Sequence, residues 1–336
     1  MKALVFPTRN DVIVTEKDDP KPGAGEIAVR VRASGVCHTD LEILRGNYGE
    51  NAFPLVPGHE FAGEVSAIGP EVTGFAVGDR VVADPNIECG NCRACGRGWA
   101  HLCEKLGAYG VTVDGGFAEI CVIRADAAHS IGDMSFTMAA LAEPMGCVLN
   151  ALSPLTGRTI ENAAVFGAGP MGMMLGLALR QQTGAAVSMV DIDTARLALA
   201  EEFGFAVHHA GAATNRQLHH ACDLTVDATG RPDVAAALTD CTANGGAALF
   251  FGVCPQDARI PLSPFDIFRR QLSIFGTHSL NHNIPEALAA LTAIGPEVER
   301  LVTHHLTFEE AAPVMRGDMP AGAMKVQTVL NQVIDL

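Results

Sequence analysis

No Lys/Arg-rich run longer than the pair Arg269–Arg270 occurs in this sequence. Its 23 basic residues are outnumbered by 38 acidic ones, giving a formal net charge of -15. Such a surface repels a phosphate backbone, so nucleic acid is excluded as a partner. No leader is expected from the first residues: Met1 to Pro7 carry one lysine and a short apolar stretch that passes directly into polar sequence. With neither the charge pattern nor the cleavage site of a signal peptide, the expected location is the cytoplasm. An uninterrupted hydrophobic span is lacking too. Ala163 to Leu179 is uncharged over 17 residues, but four glycines and a proline break it and Arg180 closes it, so no membrane partner is expected.

Cysteine is plentiful by contrast. Four of the 10 cysteines fall in "ECGNCRACGRGWAHLC", where Cys89, Cys92, Cys95 and Cys103 read C-x2-C-x2-C-x7-C. In a reducing compartment this spacing indicates a metal rather than disulfides. Gly90, Gly96 and Gly98 let the backbone turn so that four thiolates converge on one tetrahedral ion. A closed shell of this kind leaves no position for substrate, which points to a structural zinc, with an iron–sulfur cluster as the rival. Cys121, Cys147, Cys222, Cys241 and Cys254 stand singly in mostly apolar segments and read as core. Cys37, in "GVCHTDLEI", is different. His59 and Glu60 follow in "PLVPGHEFAGEV", and Glu143 in "ALAEPMGCVLNAL" is a carboxylate among apolar residues that a cation would compensate.

The segment "NAAVFGAGPMGMMLGLALRQQTGAAVSMVDID" reads as strand, glycine turn, helix and strand. Gly167 permits the tight turn, Gly169 lets amides approach a pyrophosphate, and Gly172 lets the helix pack on the strand. Pro170 and Met171 complete the turn as cofactor-binding candidates. Asp191, 19 residues after Gly172, is placed to accept hydrogen bonds from ribose hydroxyls and to repel an extra phosphate, which favours NAD. Arg196 keeps NADP as the alternative. Further strands are expected at Phe205–Val207, Asp223–Asp227, Ala247–Phe251 and Ser273–Gly276. With the first two they make six strands alternating with helices, a doubly wound parallel sheet. The preceding residues, with short alternating runs such as "EIAVRVRASG", "GEVSAIG" and "GDRVVA", indicate a separate, all-β unit.

Taken together, "GVCHTD", "PGHEFAGEV", "GDRVV", the cysteine lobe, "GGFAE", "AEPMGCVLNAL", "GAGPMG", "VTHHLTFEEA" and "AGAMKVQTVL" resemble the zinc-dependent medium-chain alcohol dehydrogenases, in the branch of the polyol and threonine dehydrogenases. The resemblance runs end to end. It implies an α/β chain with a GroES-like all-β catalytic domain at 1–147, its zinc lobe at 88–104, a Rossmann domain at 148–280 and a return to the catalytic domain over 281–336. The active site would lie in the cleft between the domains. It implies two zinc ions per chain and NAD. Cys37 and His59 would be catalytic zinc ligands, and Glu60 and Glu143 ligands by turns or holders of the zinc-bound water. Thr39 matches the residue that takes the substrate hydroxyl proton, and His38 a position near the cofactor pyrophosphate. One departure stands out: Glu42 replaces the histidine that ends the proton relay in many relatives, so either Glu42 or water completes it. Tyr48 and Phe117 are candidates for the substrate pocket. A homodimer or homotetramer is implied. The expected activity is reversible oxidation of a small-molecule secondary alcohol, with a polyol as the expected substrate because Glu143–Pro144 matches the "EP" of that branch. Threonine or a simple alcohol is the alternative substrate, and a zinc-binding protein without turnover is the alternative of another class.

Overall fold

The computed structural model describes residues 1–48 and 53–330. Residue contacts divide the chain into two units, Met1–Gly146 with the segment from Leu280 onward, and Cys147–Ser279. Both crossings fall one residue before the boundaries expected from the sequence.

The first unit opens with the antiparallel pair β1 (Lys2–Val5) and β2 (Ile13–Glu16). The long β3 (Glu26–Gly35) leads to α1 (His38–Arg45), β4 (Glu60–Ile68), β5 (Arg80–Ala83), the short β6 (Asn86–Ile87) and β7 (Gly107–Ala108), β8 (Ile120–Arg124) and β9 (Ala128–Ser130). Next come α2 (Phe136–Ala139) and α3 (Ala142–Leu152), the latter passing from the first unit into the second after Gly146. The alternation in β3 sends Ile27, Val29 and Val31 to one face, where they pack with Phe61, Val65, Val81 and Ile123.

In the second unit β10 (Asn162–Phe166), α4 (Pro170–Thr183), β11 (Ala186–Asp191), α5 (Thr194–Glu202), β12 (Ala206–His209), α6 (Ala212–Gln217), β13 (Cys222–Asp227), α7 (Pro232–Cys241), β14 (Thr242–Phe250), α8 (Pro264–Arg270) and β15 (Ser273–Gly276) alternate along the chain. The strands form one parallel sheet in the order β12-β11-β10-β13-β14-β15, whose direction of winding reverses between β10 and β13. That is the Rossmann order, with its ligand crevice at the carboxyl ends of those two strands. All six expected strands are present. β14 begins five residues earlier than expected, because Thr242 already pairs with Cys222 ahead of a register shift in a glycine-rich stretch that reads as a loop. The uncharged run at 163–179 resolves into β10 and the buried face of α4. Among the described residues no helix is long and apolar enough to cross a membrane.

The chain then adds α9 (Ile284–Ile294), β16 (Val302–Leu306), α10 (Phe308–Met315) and β17 (Lys325–Val329) to the first unit. Its main sheet runs β16-β17-β3-β4-β5-β9, with β8 also on β3. Sheet therefore dominates this unit, with helices such as α1 and α10 added to it; α10 starts in a capping box of Thr307 and Glu310. Cys121, Cys222 and Cys241 are buried as expected. Cys147 and Cys254 are only half-buried, the latter because it follows β14 in a surface loop beside the exposed Val253.

Candidate active site

The cysteine lobe brings the sulfurs of Cys89, Cys92, Cys95 and Cys103 within 4.8 Å of one another. Cys92 Sγ lies 3.5 Å from Cys95 Sγ and 4.0 Å from Cys103 Sγ. The edge of a zinc tetrathiolate tetrahedron is about 3.8 Å. Gly90 and Gly98 adopt the left-handed φ that the turns require, +70° and +73°. The amides of Cys89 and Lys105 each donate to Cys103 Sγ at 3.3 Å. Backbone amides draw the Cys92 thiol down to about 6, whereas loss of solvent and the neighbouring thiols push Cys95 up to about 12. Four sulfurs this close cannot all ionise unless a cation joins them, so the donor set fits zinc.

A second group is formed by Cys37, His59 and Glu60, whose ligand atoms also lie within 4.8 Å of one another. Cys37 is the N-cap of α1, and Asp40, at the third helical position, accepts its amide at 2.8 Å through Oδ2. The other oxygen of Asp40 accepts from Gly58 N–H at 3.3 Å and stands 3.5 Å from His59 Nδ1. Asp40 is fully buried and joins the two turns that carry Cys37 and His59. Gly58 is required there: its φ is +96°, and a Cβ would meet the Phe117 ring at 2.6 Å. Phe117, expected in a substrate pocket, is instead fully buried behind this turn in a hydrophobic cluster.

Burial alone would lower the His59 pKa, but the negative charge of Asp40 and Cys37 raises it well above the usual histidine value. Glu60 is paired with Lys325, whose Nζ lies 2.7 Å from Oε1 and 2.5 Å from Oε2 and also donates to Val36 O at 3.0 Å. Burial works against the charge on Lys325, yet Glu60, then Cys37, and more weakly Glu143 hold its pKa up. His59 Nδ1 faces Asp40 and Glu60 Oε2 faces Lys325 as buried ion-pair contacts outside hydrogen-bond geometry. A buried imidazole and a buried carboxylate beside a thiol, with Asp40 close by, form a donor set that suits a dication. Glu143, buried in the first turn of α3, falls outside the group of three but acts electrostatically on Lys325.

Thr39 is half-buried at the start of α1 and His38 is exposed beside it. Glu42 accepts from Arg45 Nη1 at 2.7 Å and from Asn47 Nδ2 at 2.9 Å, and lies 3.5 Å from His38 Nε2. The hydrogen bond from Asn47 leads the effects that lower its pKa, which makes Glu42 a weak base. Tyr48 is 41% exposed.

In the second unit Gly167 has φ +105°, and its amide donates to Val190 O at 2.7 Å. A Cβ on Gly172 would stand 1.8 Å from Gly167 O, so only glycine lets α4 approach the turn this closely. Gly169 is the N-cap of α4 with no side-chain cap, Pro170 follows in the first turn, and Met171 is half-buried beside it. Uncapped amides at Gly169, with no neighbour nearer than 3.7 Å to where its Cβ would be, fit a pyrophosphate. Asp191 ends β11, buried, and accepts from Ala168 N–H at 2.6 Å and Asp193 N–H at 2.9 Å. Each oxygen retains a second acceptor direction for a ribose hydroxyl. Arg196 reaches back over the turn, its Nη1 3.7 Å from where a Cβ of Gly169 would be.

Residues 23–133 match the alcohol dehydrogenase GroES-like domain and 170–293 the zinc-binding dehydrogenase domain. The chain is 46% identical over 332 residues to D-altritol 5-dehydrogenase of Agrobacterium fabrum, covering 97% of this chain and 99% of that protein. The chain belongs to the zinc-dependent medium-chain alcohol dehydrogenase family. D-arabinitol dehydrogenase 1 of Uromyces fabae is 32% identical, with 92% of this chain and 91% of that one covered. Among solved structures, a zinc-binding dehydrogenase of Sinorhizobium meliloti bound to NADP superposes with a TM-score of 0.92 at 27% identity, over 98% of this chain and 99% of that one. Sequence reasoning missed two residues of this dehydrogenase's site. Asp40 stands in "GVCHTD" three positions after Cys37, the spacing of a capping box, and that signal could have found it. Lys325 lies in "AGAMKVQTVL", and no local signal marks it as the partner of a carboxylate 265 positions earlier.

Proposed function

We propose that this dehydrogenase oxidises a secondary hydroxyl of a sugar alcohol with NAD, reversibly. The observation that carries the reading is the convergence of Cys37, His59 and Glu60 in a chain whose relatives are named for D-altritol and D-arabinitol, both sugar alcohols. Bound zinc would supply Lewis-acid polarisation of the substrate oxygen, and NAD the hydride acceptor. Cys37, His59 and Glu60 would hold the metal, Asp40 orients His59, and Lys325 pairs with Glu60. Glu143 is the further carboxylate for the metal or its bound water, and Thr39 takes the substrate hydroxyl proton. Because Glu42 is already engaged by Arg45, Asn47 and His38, water rather than Glu42 receives that proton from the site. The cysteine lobe holds a second, structural zinc.

The carboxylates of Glu60 and Glu143 support a preference for polyols, since a site built to hydrogen-bond neighbouring hydroxyls rejects analogues without them. Asp191 supports NAD over NADP; Arg196 is the residue that would favour the phosphate. The reading extends to a cytoplasmic homodimer or homotetramer, which light scattering of the purified protein would check.

The test is a panel of four- to six-carbon sugar alcohols, 2-butanol and L-threonine with each cofactor, followed by nicotinamide absorbance. A sugar alcohol should exceed 2-butanol in kcat/KM by about a hundredfold, and NAD should exceed NADP by about tenfold. Threonine as the best substrate would overturn the polyol reading, and equal use of both cofactors would overturn the role of Asp191.

A further inference from the structure

The four residues that return the chain to the first unit, Leu280–Asn283, touch both the cysteine lobe and the helix that carries Glu143. On the lobe side, Asn281 Nδ2 donates to Gly98 O at 2.9 Å, and Asn281 Oδ1 accepts from Ala100 N–H at 3.1 Å. Both partners lie between Cys95 and Cys103. On the helix side, Asn283 Nδ2 donates to Gly146 O at 2.9 Å, one turn beyond Glu143 on α3. The two asparagines are also joined to each other, Asn281 N–H donating to Asn283 Oδ1 at 3.1 Å. A continuous line of hydrogen bonds thus runs from Gly98 to Gly146.

Three features mark this line as specific. Asn283 is the N-cap of α9, where an asparagine side chain ordinarily accepts a helix amide, yet it makes no capping bond and turns to Gly146 and Asn281 instead. Gly146 admits no larger residue without a shift, since a Cβ there would stand 3.0 Å from Leu280 Cβ and 3.1 Å from Asn283 Oδ1. The segment is anchored independently: Leu280 is fully buried and its carbonyl accepts from Asn86 Nδ2 at 2.9 Å, while His282, at a left-handed φ of +53°, places Nδ1 3.1 Å from Asp84 Oδ2.

We propose that Asn281 and Asn283 are paired positioning residues that couple the order of the cysteine lobe to the placement of Glu143. The inference rests on the reading of Glu143 as part of the active site. The lobe has only two short 3-10 turns of its own regular structure between Cys89 and Cys103, so its Gly98 carbonyl and Ala100 amide are fixed in space by its metal ligands and by Asn281. A loosened lobe withdraws both partners of Asn281. Asn283 then keeps only the anchorage that Leu280 and His282 give the segment, and its hold on Gly146, one turn beyond Glu143 on α3, loosens.

The test is a double-mutant cycle on the zinc-loaded enzyme with Asn281→Ala, Asn283→Ala and the double variant, which leave every proposed metal ligand in place. Each single change should lower kcat about fivefold with little change in KM, and the double variant should be no worse than either. The visible spectrum of cobalt at the Cys37 site should change in all three. Penalties that multiply, or a lowered melting temperature with kcat and cobalt spectrum untouched, would reduce the asparagines to ordinary structural residues and sink the coupling. Glu143→Gln separates the two levels: an unchanged kcat there removes Glu143 from the active site and takes the coupling down with it, whereas a low kcat with multiplicative asparagine penalties rejects the coupling alone.

Discussion

Asp40 carries no chemistry that a substrate would meet, yet both ligand-bearing turns depend on it. Its two oxygens hold the amides of Cys37 and Gly58 and face His59. Replacing it by alanine leaves two amides unpaired and frees the imidazole to rotate. Metal analysis and kinetics of Asp40→Ala should show affinity at the Cys37 site reduced about 10- to 100-fold, the scale of lost outer-shell partners, with the lobe metal retained. Lys325 acts through charge instead. It is 6% exposed and its ammonium is the cation against Glu60 in the metal-free protein. Lys325→Met should therefore cost about 3–5 kcal/mol in urea unfolding of the metal-free protein. It should cost distinctly less once zinc is added, because the dication takes over the pairing. Equal losses with and without zinc would show that Glu60 does not face the metal.

At the scale of elements, the glycine turn and α4 are a unit that one methyl group can disrupt. A Cβ at Gly172 would meet a backbone oxygen at 1.8 Å, and backbone cannot swing aside as a side-chain end can. Gly172→Ala should lower stability by about 1–3 kcal/mol and weaken NADH binding, read by fluorescence titration, by about tenfold. Unaltered binding would mean that the turn does not seat the pyrophosphate. Elements of this kind are legible from sequence because their information is local. β10 and α4 follow from a contiguous apolar run with glycines at fixed spacing, and the lobe from four cysteines within fifteen residues. The alternation in β3 likewise announces a strand with one buried face. What stayed hidden is non-local. β17 lies beside β3 in the sheet, and only that pairing delivers Lys325 to Glu60. The early start of β14 was masked by glycines that pairing with β13 overrides. The engagement of Glu42 depends on where Arg45 and Asn47 turn, which the motif does not reveal.

At the scale of the whole molecule, the chain closes its first unit with residues that follow the entire second unit, and the ion pair of His282 with Asp84 spans 198 positions. His282 also places Nε2 3.6 Å from Glu88 Oε2, which Arg124 approaches at 3.8 Å. Its hydrogen bond with Asp84 raises its pKa and outweighs burial; Glu88 adds to the rise and Arg124 opposes it, while His129 and Glu286 stand nearby. A histidine whose folded pKa is raised stabilises the folded state fully below its unfolded value of about 6.5, and that contribution fades as pH rises through the folded value. The difference in melting temperature between the unmodified protein and His282→Gln should therefore be largest at about pH 6 and shrink toward zero by about pH 9. Comparing the two proteins at each pH cancels the carboxylates and thiols that titrate in both. His282 is half-exposed, so the effect should also diminish in high salt, where an exposed pair is screened. A difference that stays flat from pH 6 to pH 9 would mean that the imidazole serves only as a neutral hydrogen-bond partner and that its charge has no part in closing the chain.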